Sequence, residues 1–166
     1  METALLVIFP GLMACAAASD LLTMTIPNKL SLALVVAFAG FALAGTLAWD
    51  AILMHVAAGT VVLLLCFAMF AFGWIGGGDA KLAAAIALWF GFGVLLDYLL
   101  LAAVAGGALT IAILCLRGTT LPAFALRWDW LTRLHDRRSG VPYGIALAAA
   151  ALVIYPHTPI WHAVLQ

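Results

Sequence analysis

Charge is what this chain has least of. Seven basic and seven acidic residues among 166 give a charged fraction of 8 %, against 67 % hydrophobic residues. The mean hydropathy is +1.23. A soluble domain carries about 25 % charged residues, so the composition excludes a water-soluble fold and points to an integral membrane protein. The zero net charge offers nothing to a nucleic-acid backbone, and no nucleic-acid partner is expected. Cysteine is also scarce. Cys15, Cys66 and Cys115 sit singly in apolar stretches, with no Cys-x-x-Cys pair and no histidine at ligand spacing. That excludes a disulfide framework and a zinc site, predicts buried, inert thiols, and leaves no metal or other cofactor expected. Met1-Glu2-Thr3 lacks the basic start of a cleaved signal peptide, so the first apolar segment is expected to remain.

What is present is long apolar runs. A spanning helix takes about 20 residues, which gives this chain room for about six and for no separate soluble domain. The reading is an all-α, polytopic membrane protein with a single membrane-embedded domain over residues 1–166. Segment one runs from about Ala4 to Leu22 around Pro10, and segment two from Leu30 to Ala48, closed by Trp49 and Asp50. Segment three covers Ile52 to about Ile75. Segment four, Ala80 to Phe92, is short and interrupted by Gly91 and Gly93. Segment five runs from Val94 to Leu116, with Gly106-Gly107 as small residues for a close helix approach, and segment six from Pro142 through Ile154.

The one sizeable loop, Arg117 to Val141, mixes Phe124, Leu126, Trp128, Trp130, Leu131 and Leu134 with Arg127 and Arg133. Such a mixture predicts a stretch lying in the membrane interface, in contact with lipid. The basic residues fall after segments one, three and five: Lys29, then Lys81, then the five arginines from Arg117 to Arg138. Basic loops stay cytoplasmic. Both termini are therefore predicted to be periplasmic, with Asp50 and His55 near the outer surface and Asp97 at the outer end of its span.

Two acids stand out against this background. Asp20 lies inside an apolar span, and such a residue faces a polar cavity or a partner. It precedes the helix-ending Pro27 by seven positions, which places it about 10 Å below that end if the helix is regular. Asp79 follows Gly76-Gly77-Gly78 at the start of segment four. That segment, at about 20 Å against a hydrocarbon core of about 30 Å, can begin recessed from the membrane face and bring Asp79 level with Asp20. Gly76 and Gly78 suit such a non-helical entry. Two neighbouring carboxylates share one proton, the protonation pattern of a general acid/base pair acting on a bound water. Lys81 is expected to snorkel to the interface or to hold the site's charge, and Asn28 to cap segment two.

Taken together, Asp20 with Ile26-Pro27-Asn28, Gly76-x-Gly78-Asp79-x-Lys81, and Val141-Pro142-Tyr143-Gly144-Ile145-Ala146 resemble the type IV prepilin peptidases. These are aspartic proteases of the GxGD class, and the similarity is nearest to the short form serving tight-adherence (Flp) pili. The resemblance implies removal of a short basic leader from prepilins and pseudopilins at the cytoplasmic face of the bacterial inner membrane. It maps the two catalytic aspartates to Asp20 and Asp79. The long family members carry an insertion with paired Cys-x-x-Cys motifs and often methylate the new N-terminus. This chain has neither the insertion nor a glycine-rich methyl-donor loop, so methyltransferase activity is not expected. It also has the uncharged Leu21-Leu22-Thr23-Met24-Thr25 where relatives often carry basic residues.

A rival reading is a small transporter subunit whose buried acids carry protons or cations. It accounts for Asp20 and Asp79 but not for their clustering at one face, because transport needs access from both. A serine intramembrane protease is excluded by the absence of Gly-x-Ser-Gly.

Overall fold

The computed structural model describes residues 2–44, 47–122 and 125–165. Phe124 and the Leu126 side chain, two apolar positions of the predicted interfacial stretch, lie outside the described residues. The described residues form helices and no strand: α1 (Glu2–Thr23), α2 (Asn28–Leu43), α3 (Trp49–Ala71), α4 (Gly77–Arg117), α5 (Asp129–His135), α6 (Tyr143–Ile154) and α7 (Pro159–Leu165). Helix α3 and helix α4 are long and apolar enough to cross a membrane, and 7–23, 28–43 and 143–157 are shorter apolar helical stretches. Much of this surface faces outward. Leu64 is 63 % and Phe67 62 % exposed on α3, which is the surface of a helix solvated by lipid and not by water. The chain is an all-α membrane protein.

Helix α4 is two helices. Gly91 has φ 60° and ψ −174° inside it, a left-handed conformation that glycine adopts without penalty. The chain folds back there. A straight helix would hold residues 78 and 106 about 42 Å apart. Yet the Gly78 Cα faces Ile26, Ile26 packs on Gly144, and Tyr143 beside Gly144 lies across Gly106. Residues 77–90, about 21 Å long, and 92–117, about 39 Å, are therefore antiparallel arms. The predicted break between segments four and five falls at this point, and with it the described residues hold six apolar helical segments, long and short together.

The short arm 77–90 is the centre of the molecule. Leu82, Ile86, Trp89 and Phe90 are wholly buried, and Ala83, Ala84, Ala85 and Ala87 nearly so. A helix that is apolar all round is enclosed by others. Helices α2, α3 and α6 pack on α4, and α1 packs on α2 and α6. Four of the five alanines of α6, Ala146, Ala148, Ala150 and Ala151, are also buried, as close helix approach within a membrane requires. Far from the glycine run, the Phe9 and Tyr155 rings stack at 4.4 Å and Phe9 meets Trp89 at 5.1 Å. The Trp89 indole N–H donates to the Leu34 carbonyl at 2.9 Å.

Two local expectations are corrected and one holds. Helix α1 ends at Thr23, one residue past the expected Leu22, where Met24 takes a left-handed φ of 54°. The Ser19 hydroxyl donates to the Thr25 carbonyl at 2.9 Å, and Thr23 Oγ1 lies 2.7 Å from Thr25 Oγ1. These hydroxyls stitch the turn. Helix α2 stops at Leu43, so Trp49 and Asp50 open α3 instead of closing the segment before it. Cys15 and Cys115 are free but exposed on the outer helix surface, not buried, since an apolar thiol is at home against lipid as well as in a core.

Candidate active site

Asp20 lies in the last turn of α1, three residues from Thr23. Asp79 is the third residue of α4. Both acids therefore stand at helix ends. Asp20 is 4 % exposed. Its Oδ2 accepts a hydrogen bond from the Gly144 amide at 2.7 Å, and its carboxylate also receives the Ile145 amide. Those are the second and third residues of α6, whose N-terminus has no side-chain cap of its own because Pro142 stands there. Asp20 supplies, from another helix, the acceptor that an N-cap side chain would give.

Asp79 is held in a similar way. Its carboxylate turns back to the amide of Gly76, the residue preceding the helix, as in one half of a capping box. A side chain on Gly76 would press on this carboxylate, its Cβ falling 3.0 Å from Oδ2. Ile26 ties the two acids together. A Cβ on Gly78 would lie 3.2 Å from Ile26 Cβ, and one on Gly144 would lie 2.7 Å from Ile26 Cδ1 and 2.8 Å from Asp20 Oδ2. Asp20 is near enough for its charge to act on Asp79.

The remaining predicted residues lie at the same helix ends, with Asn28 and Lys81 turned to the other side of the short arm. Pro27 has extended backbone, φ −61° and ψ 136°, and occupies the cap position of α2. Asn28 is thus the first helical residue, and its expected capping bond is absent. Its Oδ1 instead accepts from Lys81 Nζ at 2.9 Å, so Lys81 bridges α4 to α2. The glycine pair in segment five divides. A Cβ on Gly107 would meet nothing within 4 Å, whereas one on Gly106 would run into the Tyr143 ring. The small residue admits an aromatic side chain and not a helix backbone.

Sequence reasoning missed two residues. Arg117 ends α4 and donates to the carbonyls of Leu134 (2.8 Å), Ser139 (3.1 Å) and Gly140 (2.8 Å). It clamps the returning loop immediately before the Pro142-Tyr143-Gly144 entry of α6, and a lone basic residue at a span's end gives no such signal. His55, expected near the outer membrane surface, is buried within the helix bundle, 5 % exposed. An apolar groove of about 1000 Å³ opens between α2 and α3 beside the short arm, lined by Lys81, Ala84, Ala85 and Leu88. At about 100° per residue these positions lie on the face of the arm opposite Asp79.

The family model for the type IV leader peptidase family matches residues 7–111. The chain belongs to the type IV leader peptidase family. It is accordingly a protease of the membrane. No curated protein and no solved structure matches the chain. The family match spans both aspartates, the glycine run and the Gly91 reversal. The helix that grips Asp20, α6, lies beyond the matched residues of this leader peptidase.

Proposed function

We propose that this leader peptidase removes the short basic leader from prepilins and pseudopilins, with Asp20 and Asp79 as its catalytic pair. The supporting observation is the meeting of these two acids at helix ends in a chain of this family, each carboxylate oriented by backbone amides. Gly76 and Gly78 keep the Asp79 entry free of side chains, Ile26-Pro27 spaces the acids, and Lys81 with Asn28 joins α4 to α2.

The pair carries one shared proton. The ionised carboxylate takes a proton from a bound water while the other acid gives its proton to the scissile carbonyl oxygen. The water oxygen bonds to the carbonyl carbon, forming a neutral gem-diol. On collapse the proton taken from water passes to the leaving amine, the C–N bond breaks, and the diol returns a proton to the dyad. Amides that hold the carboxylates in place contribute by keeping the reacting groups oriented.

In this reading the chain is one membrane-embedded peptidase unit in the bacterial inner membrane, surrounded by lipid, with both termini periplasmic. The dyad faces the cytoplasm. Support comes from charge: Lys29, Lys81 and Arg117 to Arg138 all follow the ends that gather around the dyad, and basic loops remain cytoplasmic. The short chain without a Cys-x-x-Cys insertion favours a Flp-type prepilin as substrate.

The test is co-expression with a Flp-type prepilin, leader removal being read by mass spectrometry. Wild type cleaves, and Asp20→Asn and Asp79→Asn at equal membrane abundance do not. Near-normal cleavage by either variant refutes the dyad, and failure of wild type on a panel of prepilins refutes the substrate assignment.

A further inference from the structure

The reversal at Gly91 creates a problem that another helix solves. Where a helix stops, the carbonyls of its last turn lose their i+4 amide partners, and inside a membrane an unmet carbonyl is costly. The short arm of α4 stops at Phe90. The Leu88 carbonyl, in that last turn, lies 2.9 Å from Nδ1 of His55 on α3. A carbonyl only accepts, so Nδ1 carries the proton and donates.

His55 is built into this place. It is 5 % exposed, and its ring meets Phe38 of α2 at 5.6 Å between centroids. It also lies flat against the reversal, since a Cβ on Gly91 would fall 3.1 Å from Cε1 and 3.2 Å from Nε2. One turn further along α3, Gly59 lets the helices touch, with a Cβ there 3.3 Å from the Ala84 carbonyl. The same face of α3 therefore grips the arm by a hydrogen bond at its end and by close packing beside it.

We infer that His55 is a positioning residue for Asp79, fixing the depth of the short arm through its bond to the Leu88 carbonyl. The arm from 77 to 90 is a rod of about 21 Å with Asp79 at one end and the His55 bond at the other. A rod held at its far end and packed along its length cannot slide without carrying the carboxylate at its near end. Asp20 is anchored separately on α6, so the register between the two acids depends on what holds the arm.

The inference rests on the peptidase reading only for its kinetic arm. Hydrogen exchange of the full chain in detergent micelles, read by mass spectrometry, compares wild type with His55→Leu, which keeps bulk without a donor, and His55→Asn, whose amide nitrogen stands near the position of Nδ1. The leucine variant exchanges about tenfold faster both at 88–92 and at the remote 77–81 turn, while the asparagine variant stays near wild type. A role confined to local packing accelerates 88–92 alone, and that pattern overturns the inference, as does an asparagine variant behaving like leucine. If His55→Leu does not accumulate, His55→Gln, whose donor is one methylene farther out, is read the same way. In leader cleavage, His55→Leu lowers kcat by about a hundredfold, the effect of an ångström-scale misplacement, at nearly unchanged KM. A raised KM at full kcat overturns it. Absence of cleavage by wild type counts against the peptidase substrate, and the exchange pattern at 77–81 still decides the role of His55.

Discussion

The amide of Gly144 sits 2.7 Å from Oδ2 of Asp20, across 124 positions of chain. This one bond closes the site and gives Asp20 two roles, because the carboxylate that serves the proposed chemistry also caps α6.

The two roles separate by substitution. Asp20→Asn keeps an oxygen to accept the Gly144 amide but cannot take a proton from water. Leader cleavage is lost while thermal stability in detergent stays near wild type. Asp20→Ala also removes the cap and lowers stability by about 0.5–2 kcal/mol. Equal melting of the two variants would show that the Gly144 bond contributes little.

Gly144→Ala forces a methyl into contacts of 2.7 Å with Ile26 Cδ1 and 2.8 Å with Asp20 Oδ2. Something must move, at a cost of about 1–3 kcal/mol for an overpacked core. Because the displaced groups are Asp20 and its spacer, kcat falls more than stability predicts. Melting and cleavage measured on one preparation give the comparison.

Neighbouring glycines in the long arm of α4 behave differently. Gly106→Ala drives a methyl into the Tyr143 ring, while Gly107→Ala meets nothing within 4 Å. The first loses about 1–3 kcal/mol. The second gains from helix propensity, where alanine exceeds glycine by about 1 kcal/mol. Chemical unfolding of the two variants in micelles reads the difference.

Arg117→Lys is not conservative here. The guanidinium reaches three carbonyls on two sides of the returning loop, and a single ammonium cannot reproduce that fork. The variant loses about 1–3 kcal/mol and exposes the 118–141 loop to limited proteolysis. A protease-resistant loop in the variant would assign its order to other contacts.

Much of this arrangement was legible in sequence for a physical reason. Apolar runs interrupted by Gly91 and Pro142 mark helices and their ends, and Asp20 and Asp79 are conspicuous because charge is rare in such runs. What sequence hid were partners distant along the chain. No local pattern says that Met24 adopts a left-handed turn or that the Ser19 and Thr23 hydroxyls close onto Thr25. Asn28 has the composition of a cap and sits one residue too late, so Lys81 takes its side chain. His55 reads only as a histidine near the outer membrane surface, and the Gly91 reversal is what leaves a carbonyl for it. Gly144 looks like helix-entry punctuation, and only the fold turns its amide toward Asp20.

The one-residue reversal at Gly91 also bears on how the chain enters the membrane. With no connecting loop between residues 90 and 92, there is no segment that can wait in water on the far side while the second arm is made. The short arm, at about 21 Å, is less than a bilayer core of about 30 Å and is a poor anchor alone. The two arms of α4 therefore behave as one insertion unit, a helical hairpin delivered together, with Asp79 in the first turn of its leading arm and Asp97 just past the reversal.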